Sequence, residues 1–249
     1  MNSPGTIRQA VILAAGFGNR LRPLTDTVPK AMVPVAGRPL LEHHVERLRR
    51  HGIDEIFINL HYRPDVIRGH FQDGARWGVR IDYQFEPEIR GTAGGVKGFE
   101  SRLQDAFFVV YGDIFSLLDY SRMAAAFFGK DQAAGMELVG PTSHPHDSDL
   151  AEVDEAMRFL KIHPKPHATL PARYQAMRGI FILRRRALAE IPAATYYEID
   201  HQLLPRLLEK GERIYGHVSD DYARDLGTWE RYREVEAYCA RLGIGLGEA

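Results

Sequence analysis

The chain of 249 residues has a single cysteine, Cys239, which excludes an internal disulfide and a cysteine-based zinc site. Because Cys239 lies in a helical pattern near the C-terminus, we expect a packing or surface role for it. No apolar run approaches the roughly 20 residues of a membrane-spanning helix. Residues 1–9 lack a signal-peptide pattern, so we expect a cytoplasmic protein with no membrane partner.

The chain also has no excess of either charge, because it contains 32 Lys and Arg residues and 33 Asp and Glu residues. This balance predicts no nucleic-acid partner, and it predicts that any phosphate is bound by a few placed groups. The composition, with 45% hydrophobic and 26% charged residues, is typical of a globular protein with a sizeable core.

Strand-like and helix-like segments alternate in the first half, which predicts an α/β fold with a mostly parallel sheet flanked by helices. The predicted strands there are 10–15, 53–60, 79–85 and 106–111, and the predicted helices are 40–51, 64–71 and 92–103. After about residue 130 the predicted strands are 133–139, 150–153, 157–163, 179–183 and 213–218, with helices at 198–210 and 228–242. No linker or repeat interrupts the chain, so we expect a single domain over 1–249 with halves of about 1–130 and 131–249.

A glycine-containing loop follows the first predicted strand, at Gly16-Phe17-Gly18-Asn19-Arg20-Leu21. Small residues allow backbone N–H groups to approach a phosphate, although a tight turn would also explain them. The loop lacks the third glycine of a dinucleotide fingerprint, and Pro23, Pro29 and Pro34 prevent the long helix that such a fingerprint needs. We therefore expect an extended loop in which Arg20 and Lys30 supply positive charge.

These residues resemble the signature of the sugar-phosphate nucleotidylyltransferases. The similar segments, in the same order along the chain, are 16–25, Pro29-Lys30-Ala31-Met32-x-Pro34, Glu86 to Gly94, Val110-Tyr111-Gly112-Asp113, Pro164-Lys165-Pro166 and Asp225-Leu226-Gly227-Thr228. The resemblance implies a Rossmann-like fold of the GT-A type. It implies a Mg²⁺-dependent reaction between a nucleoside triphosphate and a sugar 1-phosphate, with release of pyrophosphate. The first half would then bind the nucleotide and the second the sugar phosphate.

The resemblance also implies a role for each matching residue. Asp113 and Asp225 would bind Mg²⁺, although an Asp after a strand is more often a cap or turn residue. Arg20 would stabilise the leaving pyrophosphate, and Lys30 would neutralise the reacting phosphates. Arg22 is the competing cation of this loop, and we expect it to be solvated.

The predicted binding residues fall into two groups. The nucleotide would contact Ala14, Ala15, Gly16, Gly18, Glu86, Gly91, Thr92 and Gly112. The sugar phosphate would contact Lys165, Arg178 and Gly179. Thr92 could equally cap its own helix, and Lys165 could be a surface lysine between two prolines.

Three segments depart from the commonest family pattern, and all belong to the predicted acceptor side. Met177-Arg178-Gly179 stands where many members have Asn-Ala-Gly, and Pro164 replaces a glutamate. The loop from Ser143 to Asp149 replaces a Tyr-Gly region, and we expect a polar loop there rather than a metal site. These departures leave the sugar open, and Arg178 could meet an extra group on an unusual sugar or pair with a surface carboxylate.

The base loop, Gly91-Thr92-Ala93-Gly94, resembles that of guanylyltransferases acting on mannose or manno-heptose 1-phosphate, and this resemblance favours GTP with one of these sugars. A uridylyltransferase acting on a sugar such as N-acetylmuramate 1-phosphate, or a cytidylyltransferase, are the alternatives within the family. Outside these activities, the chain could be a catalytically silent regulatory subunit or an NAD-dependent oxidoreductase. We expect a monomer or a homodimer.

Overall fold

The computed structural model describes residues 6–245. Within this range it contains thirteen β-strands. They are β1 (Gln9–Leu13), β2 (Pro34–Val35), β3 (Arg38–Pro39), β4 (Glu55–Leu60), β5 (Arg80–Phe85), β6 (Ala106–Tyr111), β7 (Ile114–Ser116), β8 (Ala133–Gly140), β9 (Leu150–Val153), β10 (Phe159–His163), β11 (Tyr174–Arg184), β12 (Arg213–Val218) and β13 (Ala223–Asp225).

Six α-helices lie in the same described range. They are α1 (Leu40–Arg50), α2 (Pro64–Phe71), α3 (Gly91–Lys97), α4 (Tyr120–Phe128), α5 (Leu204–Glu209) and α6 (Trp229–Leu242). No helix in residues 6–245 has the length and the hydropathy that crossing a membrane requires.

Contacts between residues divide the chain into two compact units that interleave along the sequence. Unit I consists of Ala10–Glu88, Val110–Leu118 and the described residues from 221 onwards. Unit II consists of Ile89–Val109, Asp119–Asp220 and the described residues up to 9. The assignment of one ligand to each sequence half stays a prediction.

Unit I contains the parallel pair β4–β5 of the sheet. Strand β4 lies between β1 and β5, and β4 and β5 run parallel from Glu55 opposite Arg80 to Leu60 opposite Phe85. Two small sheets, β2–β3 and β7–β13, are antiparallel. A core cluster joins the glycine loop to these elements, since Leu21 packs with Phe115 and Leu226.

Cys239 belongs to the same buried cluster of unit I. Burial raises the pKa of its thiol to about 11, so the group stays protonated near neutral pH. A protonated, buried thiol is a packing residue, as the sequence predicts.

Unit II is mostly antiparallel. Strand β11 pairs with β8 and with β9, β9 pairs with β10, and all three pairs are antiparallel. Strand β12 runs parallel to β8 along its whole length. The change from alternating strands and helices to irregularly joined strands after residue 130 reflects this antiparallel pairing.

The predicted α/β fold, a mostly parallel sheet flanked by helices, is confirmed, and the sheet also contains the antiparallel pairs among β8 to β11. Helix α2 and strands β6, β9 and β12 have the predicted bounds. The predicted helix 92–103 ends at Lys97, and a short 3₁₀ turn over Glu100–Arg102 replaces the rest. The predicted helix 198–210 begins with a π-helical turn, Ile199–Leu203. Strand β7 and helix α4 were not predicted.

Candidate active site

The loop that follows β1 has no long helix, as its prolines predict. Three single 3₁₀ turns replace it, at Asn19–Leu21, Leu24–Asp26 and Lys30–Met32. The Leu21 side chain is fully buried and anchors the loop in the core of unit I. The neighbouring residue Arg20 is exposed. The turn therefore places the Arg20 side chain at the surface, next to the buried Leu21.

Gly18 has a structural requirement of its own. Its φ is +72°, a conformation that L side chains rarely adopt. An added Cβ would lie 2.9 Å from the Cβ of Lys30 and 2.9 Å from Cγ2 of Thr25. The Thr25 hydroxyl also donates a hydrogen bond of 2.9 Å to the Gly18 carbonyl. Gly18 therefore lets the Lys30 segment pack directly against the glycine loop.

Gly16 differs from Gly18, because an added Cβ would meet nothing within 4 Å. Its lack of a side chain is therefore not required by the neighbouring protein atoms. Phe17, next to it, is 42% exposed and packs against the rings of His61 and Tyr62, at centroid distances of 5.2 and 5.5 Å. The Tyr62 hydroxyl donates to the Thr25 carbonyl at 3.2 Å, which ties this aromatic cluster to the loop.

A buried asparagine holds the start of the glycine loop. Oδ1 of Asn59, in β4, accepts a 2.8 Å hydrogen bond from the Ala14 N–H. Nδ2 of Asn59 donates at 2.9 Å to Oε1 of Glu86, which is fully buried. Asn59 thus connects Glu86 to the start of the glycine loop by two hydrogen bonds. Ala15 is also buried, so any base contact at Ala14 and Ala15 would use backbone atoms.

Asp113 lies directly after the end of β6, beside the loop. Gly112 donates a 2.9 Å hydrogen bond to the Leu13 carbonyl, and a Cβ on Gly112 would lie 2.6 Å from that oxygen. Only glycine allows this close approach of the two strand ends. Lys30 Nζ donates a hydrogen bond to Oδ2 of Asp113, and the Asp113 side chain is 33% exposed. Lys30 and Asp113 therefore meet, although 83 residues separate them.

Asp225 lies on the strand that pairs with the segment after Asp113. It is opposite Ile114 in the β7–β13 ladder, and the Leu226 N–H donates to the Asp113 carbonyl at 2.7 Å. Nη1 of Arg231 donates to both Asp225 oxygens, at 3.0 and 2.8 Å. Asp225 thus lies at the end of the small sheet that Asp113 immediately precedes, despite their distance along the chain.

Arg20 lies close to the same strand end. A Cβ on Gly227 would lie 3.5 Å from Nη2 of Arg20 and 3.2 Å from Nη1 of Arg231. The absence of a side chain at Gly227 leaves room for both guanidinium groups. Arg22 instead faces solvent, with 64% of its side chain exposed and Asp26 at 3.4 Å, in agreement with its predicted solvated role.

The predicted base loop lies in unit II. Gly91 has φ +73°, and its added Cβ would lie 2.6 Å from the Tyr197 carbonyl oxygen. Gly94 donates a 3.0 Å hydrogen bond to the same oxygen. Thr92 does not cap its own helix, for which Arg90 is the N-cap residue. Its hydroxyl instead accepts a 2.7 Å hydrogen bond from the Ile199 N–H, at the start of the π-helical turn.

Lys165, also in unit II, is a partly exposed residue with a defined partner. Its backbone N–H donates to Oδ1 of Asp149 at 3.0 Å, and its Nζ lies 3.5 Å from Oδ2 of the same carboxylate. Its side chain is 47% exposed. In residues 6–245 no group of three or more His, Cys, Asp or Glu side chains could hold a metal ion. The loop before Asp149 makes local bonds, such as His146 to the His167 carbonyl at 3.2 Å.

The backbone of Arg178 and Gly179 encloses a buried carboxylate. Oε1 of Glu137 accepts hydrogen bonds from both N–H groups, at 3.1 and 3.2 Å. Burial, followed by the charge of Asp200, raises the pKa of Glu137 well above its usual value. The Arg178 guanidinium donates to the Pro141 carbonyl at 3.0 Å and packs over Gly140.

The structure therefore gathers Arg20, Lys30, Asp113 and Asp225 in unit I, together with Ala14, Gly16, Gly18, Glu86 and Gly112. It gathers Gly91, Thr92, Lys165, Arg178 and Gly179 in unit II. Sequence reasoning missed Asn59, although a polar residue inside the apolar strand β4 is a usable signal. It also missed Arg231, which pairs with Asp225 six residues away, and the pair of Asp149 and His201, which are 52 residues apart.

Solved structures share this architecture. HddC from Yersinia pseudotuberculosis, in complex with GMP-PN, superposes with a TM-score of 0.77 over 93% of this chain and 99% of its own, at 22% identity. A candidate glucose-1-phosphate thymidylyltransferase from Bacillus anthracis gives a TM-score of 0.83 over 97% of both chains, at 21% identity. At these identities the likeness establishes the fold.

The sequence itself establishes the family. The family model described as nucleotidyl transferase matches residues 9–241, so this chain belongs to the nucleotidyl transferase family. The chain is 32% identical to mannose-1-phosphate guanylyltransferase of Mycobacterium tuberculosis over 90% of its length. It is 30% identical to UTP–glucose-1-phosphate uridylyltransferase of Synechocystis over 91% of its length.

The lengths of the relatives differ. The chain spans 63% of the Synechocystis protein and 62% of the Mycobacterium protein. It spans 97% of N-acetylmuramate alpha-1-phosphate uridylyltransferase of Neisseria meningitidis, to which it is 31% identical over 92% of this chain.

Proposed function

We propose that this protein transfers a nucleotidyl group from a nucleoside triphosphate to a sugar 1-phosphate and releases pyrophosphate. The observation that carries the proposal is the assembly in unit I, where Lys30 pairs with Asp113 and Arg20 reaches the turn after Asp225. Two cations and two carboxylates beside a glycine loop suit a reaction at phosphate, which depends on positioning and charge neutralisation.

Arg20 and Lys30 would act on the phosphates. The Arg20 fork can donate two parallel hydrogen bonds to the leaving pyrophosphate, and the Lys30 ammonium can neutralise charge at the reacting phosphate. The attacking sugar phosphate is already deprotonated near neutral pH, so the reaction needs no strong general base. The glycine loop would add backbone N–H groups at Gly16 and Gly18.

The residues fit a divalent cation of the Mg²⁺ type. Asp113, in the turn before β7, and Asp225, on the strand paired with β7, offer hard carboxylate oxygens, and their side chains are 33% and 37% exposed. Mg²⁺ is commonly held by one or two carboxylates together with substrate phosphates. When bound, the ion would neutralise charge on the phosphates. Lys30 and Arg231 orient these carboxylates by hydrogen bonds.

Unit II would bind the acceptor and part of the base. Lys165 would hold the sugar phosphate, with Arg178 and Gly179 near the sugar, and Gly91 and Thr92 would contact the nucleotide. We favour GTP with mannose or manno-heptose 1-phosphate. The guanylyltransferase relative from Mycobacterium tuberculosis, at 32% identity, supports this choice.

A uridylyltransferase is the second candidate, because two relatives at 30% and 31% identity carry that name. The Neisseria meningitidis relative, named N-acetylmuramate alpha-1-phosphate uridylyltransferase, is matched over 97% of its own length. A matrix of four triphosphates against several sugar 1-phosphates, read by pyrophosphate release, separates the two. Highest kcat/KM with GTP and a manno-configured sugar supports the first choice, and highest kcat/KM with UTP supports the second.

The same matrix, measured with one variant as well as the wild type, tests whether the protein is a nucleotidyltransferase that depends on Asp113. Asp113→Ala should abolish turnover while the thermal unfolding of the protein stays cooperative. Wild-type-like turnover in this variant would remove the metal-binding role of Asp113. Nucleotide binding without turnover by the wild type would favour a silent regulatory subunit, and NAD(P) binding without a Mg²⁺ requirement would favour an oxidoreductase.

A further inference from the structure

One carboxylate of unit II, Asp149, holds two cationic side chains at once. Oδ2 lies 3.5 Å from Lys165 Nζ, and Oδ1 lies 3.1 Å from Nε2 of His201. Oδ1 also accepts the Lys165 backbone N–H at 3.0 Å. The Asp149 side chain is only 16% exposed, so its contacts to both partners have a defined orientation.

His201 is itself held from its other side. Its Nδ1 lies 3.0 Å from Oε2 of Glu198, so both ring nitrogens have carboxylate partners. Burial lowers the pKa of His201, but the hydrogen bond to Asp149 and the nearby carboxylates outweigh it and raise the pKa above 6.5. Burial alone would raise the pKa of Asp149, but the Lys165 backbone N–H and ammonium, and after them His201, lower it.

The groups come from three segments that are distant in sequence. Asp149 precedes β9, Lys165 follows β10, and His201 lies in the π-helical turn whose first N–H donates to Thr92. A partly exposed ion pair such as Lys165–Asp149 contributes little to stability. Stability therefore does not explain why three segments converge on one carboxylate.

A second observation in unit II, at the carboxyl group of Glu137, indicates that a polar ligand binds near Asp149. Oε2 of Glu137 is buried and has no hydrogen-bond partner in the described structure, although Oε1 has two. The Met177 N–H donates at 3.0 Å to the Asp149 carbonyl, and the N–H of the next residue, Arg178, donates to Glu137, so both acidic residues bond to the same stretch of β11. Buried polar atoms without partners are rare and mark places where a ligand or water completes the bonding.

We propose that Asp149 is the positioning residue of the acceptor site, holding Lys165 for the phosphate of the sugar 1-phosphate while His201 fixes the orientation of the Asp149 carboxylate. This inference rests on the proposed function, since it needs Lys165 to contact the acceptor phosphate. The sugar 1-phosphate would approach the exposed face of Lys165, and the nucleoside triphosphate would not depend on this group.

Steady-state kinetics with pyrophosphate detection test the proposal. Asp149→Asn should raise the KM for the sugar 1-phosphate about tenfold, with the KM for the triphosphate within about twofold of wild type. Lys165→Ala should give a similar rise. The double variant should resemble Lys165→Ala alone, because residues that act through one contact are not additive.

Glu190→Gln is a matched control in the same unit. Glu190 also holds two cations, with Lys210 Nζ at 2.6 Å and Arg206 Nε at 3.5 Å, and it has no predicted role in binding. Its substitution should leave both KM values unchanged. An equal rise in the KM for the sugar phosphate in Glu190→Gln would overturn the positioning role, because any lost ion pair would then suffice.

A second variant covers the case in which Asp149→Asn does not fold. His201→Ala should raise the KM for the sugar phosphate about threefold, and His201→Gln, which retains an N–H donor, should restore it. An unchanged KM in Asp149→Asn or in His201→Ala, or full additivity in the double variant, refutes the inference. Absence of pyrophosphate release by the wild type with every substrate pair would instead refute the proposed function.

Discussion

Replacement of Asn59 by leucine is a direct test of how the glycine loop is held. Leucine has nearly the same size and shape but can neither accept from Ala14 nor donate to Glu86. Both hydrogen bonds are short, at 2.8 and 2.9 Å, and Asn59 is 2% exposed. The substitution therefore leaves a buried N–H without its partner and removes a hydrogen bond from a buried carboxylate.

The expected cost follows from these two losses. A buried polar group without a partner costs about 1–3 kcal/mol, and hydrogen bonds to charged groups contribute about 1.5–3 kcal/mol. Glu86 retains a further interaction, so the second loss is not complete. We expect the free energy of unfolding to fall by about 2–4 kcal/mol in total.

Equilibrium unfolding in urea, followed by circular dichroism, measures this change. Asn19→Ala is the control, because Asn19 is exposed and its substitution should change the free energy by less than about 0.5 kcal/mol. A loss below about 1 kcal/mol in Asn59→Leu would show that the buried network does not hold the loop.

Three further substitutions probe the two units, each measured by thermal unfolding. Glu137→Gln should gain stability relative to wild type as the pH rises from 5 to 8, because the raised pKa of Glu137 means that the folded state binds more protons than the unfolded state; a constant difference would contradict this. Gly91→Ala should lose about 2 kcal/mol or more, since φ is +73° and the Cβ would approach the Tyr197 carbonyl; wild-type stability would contradict the close contact. Thr228→Ala should lose about 1 kcal/mol, because its hydroxyl accepts from the Arg231 N–H at 3.3 Å and caps α6; an unchanged melting temperature would show that the cap contributes nothing.

On the predicted acceptor side, the sequence did not predict which residues contact one another. The resemblance predicts that Lys165 binds the acceptor phosphate, and a surface lysine between two prolines is the alternative. The structure shows its bond to Asp149, but the partner is 16 residues away in a loop with no recognisable motif. His201 is 52 residues from Asp149, and no sequence pattern connects them. Such pairs depend on how segments meet, which local patterns do not encode.

The sequence by itself determined the features that depend on near neighbours. Apolar periodicity located most strands and helices, the prolines excluded a helix after β1, and the ordered motifs indicated the family. Tertiary structure alone decided which distant groups meet: Lys30 with Asp113, and Asn59 with Ala14 and Glu86. The physical reason is range, since propensity and turn chemistry act over a few residues, whereas strand pairing and burial bring together residues far apart along the chain.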